Sequence, residues 1–107
     1  MSWNLLVWRW SGDFDTAAKR KRHKLKTSDV THGFADNGDH PGIGEADMSA
    51  YLAKVFEEFG PESYELPFLV ERYDKCVVFN YGGGVRYEIV PILGKLAMPM
   101  GFNAAEF

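Results

Sequence analysis

The sequence predicts an α+β domain: an antiparallel-rich sheet, made of an N-terminal strand plus a C-terminal meander, with two to three helices packed on one face. Three observations predict it. Residues 3–10 are apolar on both alternating faces, which suits a central strand. Met48, Leu52, Val55, Phe56 and Phe59 recur at helical spacing and make one apolar face. Residues 67–90 hold three short apolar runs separated by turn residues. The order strand, helices, strands, helix is that of α+β architecture. At 107 residues, with no repeat and no linker, residues 1–107 form a single domain.

In the first strand, Trp3, Leu5, Val7 and Arg9 point one way, and Asn4, Leu6, Trp8 and Trp10 the other. Ser11-Gly12-Asp13 ends it. Residues 15–26 have helix-compatible Ala, Lys and Arg but little apolar stripe, so a loose helix or mobile loop is expected there. Thr27 or Ser28 can cap a short helix over 29–35, with Val30 and Phe34 one turn apart. Residues 36–42 are a dense turn cluster. The main helix is expected over 45–59, with Glu45 and Asp47 in its first turn and Gly60-Pro61 as its stop.

Strands are expected over 67–73, 75–81 and 85–90, the last two joined by Gly82-Gly83-Gly84 with positive φ in the turn. Pro91 then opens a final helix whose apolar face is Ile92, Leu93, Leu96, Ala97 and Met100, and Pro99 ends or kinks it. Residues 102–107 form a short last strand or a packed aromatic tail.

Charge is unevenly spread. Lys19, Arg20, Lys21, Arg22, Lys24 and Lys26 are half of the twelve Lys and Arg residues. The remainder of the chain sets six bases against fifteen acids, a formal charge of −9. Charge on this scale speaks to partners rather than to fold. A hydrophobic content of 46% with 25% charged residues is that of a globular chain, not a disordered one. No apolar run approaches the ~20 residues of a membrane span, so no membrane association is expected. The first ten residues have no basic leader and no cleavage site after them, so no signal peptide is read and a cytoplasmic location is expected. The single cysteine, Cys76, excludes an intramolecular disulfide. It sits in an apolar run and reads as a small buried hydrophobe.

The basic run could bind phosphate, with Trp8 and Trp10 as stacking surfaces for nucleic acid. The plainer reading is a solvated face, because nucleic-acid binders usually carry a net positive domain and this one is acidic. His32, Asp36, Asp39, His40, Glu45 and Asp47 are six potential metal ligands, yet their spacing matches no closed site and suits turn and helix-start chemistry. No metal or cofactor is therefore assigned. The glycine run lacks the Lys-Ser/Thr of a phosphate loop. No nucleophile arrangement appears, so no catalytic residue is named and the chain reads as a non-enzyme.

Two segments carry a resemblance. Met1 to Trp10 resembles the first strand of small bacterial α/β immunity proteins of toxin–immunity systems. Leu96 to Phe107 is similar to their closing helix-to-strand segment, from which Pro99 departs. Together they cover 22 of 107 residues. The resemblance implies a cytoplasmic protein that binds and blocks a cognate toxin, often a nuclease. An acidic surface would be steered onto the basic substrate face of such a toxin. Asp36, Asp39, Glu45, Asp47, Glu57 and Glu58, with Glu62 and Glu65, are the acids that could supply it.

Overall fold

A computed structural model of the chain describes residues 2–107. It contains four antiparallel strands and four helices in the order β1 (Ser2–Trp8), α1 (Ala17–Arg22), α2 (Thr27–Asn37), α3 (Ser49–Phe59), β2 (Leu69–Arg72), β3 (Val77–Gly82), α4 (Arg86–Ala97) and β4 (Asn103–Glu106). The strands lie in the order β2-β3-β1-β4. The α+β architecture with helices on the sheet is thus present, and β1 is central.

The alternation of β1 explains how the layers form. Leu5 and Val7 join Val77, Phe79 and Tyr81 on one face, where α3 and α4 contribute Tyr51, Leu52, Val55, Ile89, Leu93 and Ala97. Leu6 and Trp8 join Val78 on the other face, against Val30 and Phe34 of α2, Ile43 and Cys76. Of the two to three helices expected on one face, α3 and α4 lie there, and α2 takes the opposite one. Beyond Trp8, the chain stays pinned by a Trp10–Ile43 bridge. Gly44 allows this approach, since a Cβ there would stand 2.8 Å from the Trp10 carbonyl oxygen.

Helix α3 starts later than the carboxylate pattern suggests. Glu45 and Asp47 precede it, and the Asp47 carboxylate accepts the Ser49 N–H at 2.9 Å. Tyr51 joins its buried face through the phenol, which donates to the Leu93 carbonyl at 2.9 Å. Helix α2 begins at Thr27, so Thr27 and Ser28 lie inside it; Asp29 accepts the Lys26 N–H at 2.8 Å instead. Gly38, at φ 73°, terminates it.

The expected third strand of the meander is a helix. Residues 86–90 belong to α4, and Gly82-Gly83-Gly84 leads into that helix rather than closing a hairpin. None of the three glycines has positive φ. The cause is the stripe Ile89, Leu93 and Ala97, which runs through Pro91 and is buried on the sheet. Pro91 is inside the helix rather than at its start. It faces solvent, where water can serve the carbonyl that loses its helical N–H. A 3₁₀ turn, Met98–Met100, ends the helix at Pro99, and the tail forms β4 against β1.

Helix α1 covers six residues and buries none of them. Its end has the Schellman pattern: Leu25 N–H bonds the Arg20 carbonyl at 2.9 Å and Lys24 N–H the Lys21 carbonyl at 3.1 Å. Lys24 therefore occupies the left-handed position, at φ 54°, where glycine is the usual residue. Lys24→Gly is expected to stabilise the fold by up to about 1 kcal/mol, read as a higher urea midpoint at unchanged slope.

Candidate functional site

The acids predicted to meet a partner are all exposed, but they are used differently. Asp39 and Glu45 converge on Lys75 Nζ, at 3.6 and 3.8 Å, beside the tip of the β2–β3 hairpin. Asp47 is engaged at the start of α3, and the Ser49 hydrogen bonds hold its carboxyl below the usual carboxylate value. Asp36 on α2 and Glu57 and Glu58 in the last turn of α3 make no ion pair among the described residues. Glu62 meets Arg72 through two hydrogen bonds of 2.8 and 3.0 Å, which lower the Glu62 pKa.

A second feature gathers at the same hairpin. From Glu57 to Glu71 the chain has five Glu and no Lys or Arg. Strand β2 ends the sheet, so one of its edges has no neighbouring strand. A groove of about 480 Å³ runs beside it, lined by Glu62, Tyr64, Leu66, Phe68, Val70 and Glu71 among others. Three of the five large hydrophobic side chains exposed among the described residues lie on this hairpin or the loop before it: Tyr64, Leu69 and Tyr73. Such clustering marks an interaction surface better than scattered exposure does. Sequence reading missed this face, because the apolar pattern marks residues 67–73 as a strand without showing which strand ends the sheet.

The basic run is only partly available. Lys19 bonds Asp15 and the Gly12 carbonyl, both at 2.9 Å. The Arg20 guanidinium donates to the Phe14 carbonyl at 2.7 Å and lies 4.7 Å from the Trp10 ring centroid. Lys21, Arg22, Lys24 and Lys26 are exposed. The proposed stacking surfaces do not exist as such. Trp8 is wholly buried, and Trp10 is half-buried between Arg20 and the edge-on Trp8 ring.

His40 is structural in its contacts. Its Nδ1 accepts the Gly42 N–H at 2.9 Å, and its ring packs so close to Gly33 that a Cβ there would stand 2.5 Å away. No group of three or more His, Cys, Asp or Glu side chains comes within reach of one metal ion among the described residues. Cys76 is buried, and burial, with Asp39 nearby, pushes its thiol up to about 11, so it is a neutral thiol at ordinary pH.

One polar cluster was not foreseen. The Arg86 guanidinium lies 3.6 Å from the Trp3 ring centroid and donates Nε and Nη2 to Glu106 at 2.8 and 2.9 Å. The Tyr81 hydroxyl donates to the same carboxylate at 2.7 Å. The cluster ties the start of α4 to β1, β3 and β4. Both carboxylate oxygens are already engaged, so the arrangement is a clamp. Its partners are 20 and 25 residues from Glu106, and no local spacing announces them.

Comparison with known proteins gives no match: no family model, no curated protein and no solved structure matches the chain. No helix among the described residues is long and apolar enough to cross a membrane.

Arg86 and Tyr81 hold the Glu106 pKa below its ordinary 4.5. A depressed carboxylate stabilises the fold above its unfolded pKa, and that contribution is lost as pH falls through the folded value. Glu106→Gln should therefore lower Tm at pH 7 and make Tm less sensitive to acid below about pH 4.5, checked by thermal melts across pH.

Proposed function

We propose that the protein is a non-catalytic interaction protein of the immunity type, which binds a cognate bacterial toxin and occludes it. The observation that carries this reading is the acidic 57–71 stretch beside an open sheet edge with exposed Tyr64 and Leu69. A toxin nuclease must present cations to phosphate. An acidic, partly apolar face is complementary to such a surface, and complementary charge raises association rates by ~10–10³-fold at low salt. Tyr64 and Leu69 would supply the apolar contact that charge alone does not. The resemblance of the two end segments points the same way. A cytoplasmic site of action belongs to this proposal.

A second reading uses the cations of Lys19 to Lys26 for nucleic acid. Four of them, Lys21, Arg22, Lys24 and Lys26, stand exposed, which keeps that reading open. The engagement of Lys19 and Arg20 and the burial of Trp8 place it second.

The decisive experiment pairs the protein with the product of the neighbouring toxin gene. Co-expression should rescue growth, and purified proteins should bind tightly, with an association rate that falls steeply as salt rises. Glu57→Lys with Glu58→Lys should slow association several-fold at low salt and have little effect at high salt. No binding and no rescue would sink the proposal. Salt-dependent oligonucleotide binding lost in Lys21→Ala with Arg22→Ala would favour the second reading.

A further inference from the structure

We infer that β2 is a strand-addition site for an extended basic segment of the partner. The inference rests on the interaction reading above and supplies its site and mode. Across the β2–β3 turn, Tyr73 N–H bonds the Cys76 carbonyl at 3.0 Å. Antiparallel pairing then alternates, so Glu71 opposite Val78 and Leu69 opposite Asn80 are the next pairs bonded to β3. The backbone N–H and C=O groups of Val70 and Arg72 are left pointing to the open side.

Natural edges are usually blunted by Lys, Pro, a bulge or a covering element. Residues 69–72 contain no Lys and no Pro, and they pair with β3 in unbroken register. The one cation there, Arg72, is bound by Glu62. Leu69 is 60% exposed and Tyr64 99% exposed at the same edge, where a soluble protein gains nothing from showing them to water.

The chemistry of the occupant follows from the two faces of the edge. On the face shared with Val70, the groove offers Leu66 and Phe68, which suit apolar side chains. On the face shared with Leu69, Glu71 is the charge, and the chain from Glu57 to Glu71 brings no base to compensate it. A segment that alternates apolar residues with Lys or Arg meets both demands. A second copy of β2 does not, because it would bring another Glu71 to the same edge.

Backbone hydrogen exchange of the whole chain tests this, with a short peptide alternating Val and Lys as probe and one alternating Val and Glu as control. The basic peptide should slow exchange at Val70 and Arg72 about tenfold or more, and leave Leu69 and Glu71 nearly unchanged. Val70→Pro removes the open-side N–H and should abolish the effect; Glu71→Lys should do so without touching the backbone. Absence of basic-peptide binding, protection at other residues, or equal binding of the acidic peptide would overturn the inference. Self-association that protects the same amides would also overturn it, in favour of a second copy. Peptide binding without toxin neutralisation would retire the immunity reading and keep the edge site. Neutralisation unaffected by either substitution would keep the immunity reading and remove the edge site.

Discussion

Strand β1 is hydrogen-bonded along both edges, to β3 and to β4, and covered on both faces. Leu5, Leu6, Val7 and Trp8 are each at most 1% exposed. Full burial of such side chains stabilises a fold by roughly 1.5–3 kcal/mol apiece. The other elements depend on this strand in turn. Helices α3 and α4 have an apolar sheet to cover because Leu5 and Val7 are there, and α2 is held because Leu6 and Trp8 face it. A change of register by one residue would exchange the two faces, so the pairing of β1 fixes which helix goes where.

The two sides of the sheet are unequal. The α3–α4 side carries the larger core, closed by edge-on rings of Tyr51, Phe68, Phe79 and Phe102. The α2 side is smaller and leaves Leu69 uncovered where α2 stops short of the β2 edge. Helix α1 adds nothing to either core. It is held by Arg20 on Trp10 and by Leu25 against the α2 side. Its basic residues therefore belong to a lightly anchored strap beside a rigid sheet, which is where low local stability is expected.

Elements with strong internal periodicity were legible in the sequence. β1 declared itself by apolar residues on both faces, and α3 by its i, i+4, i+7 stripe. The start of α4 was not legible. Val85, Tyr87, Ile89 and Val90 favour strands, and Pro91 looks like a helix start. Burial of Ile89 together with Leu93 and Ala97 outweighs that local preference. The acidic excess could be read from composition, but its arrangement could not. Asp39 and Glu45 meet Lys75 across 36 and 30 residues of sequence, and the open edge of β2 follows from strand pairing, in which β2 has β3 as its one neighbour. The Arg86–Glu106–Tyr81 clamp is likewise a product of topology.

The sheet order has a consequence for how the chain is made. Of the four strands of this sheet β1 is synthesised first, yet one of its two edges is filled by β4, with Asn4 and Phe107 exchanging backbone hydrogen bonds across 103 residues. During synthesis the most apolar strand of the molecule waits with an unpaired edge until residues 103–106 have emerged. Contacts of this separation are slow to form, because loop closure must precede any reward. A nascent chain halted before β4 would expose that edge to aggregation or to chaperones.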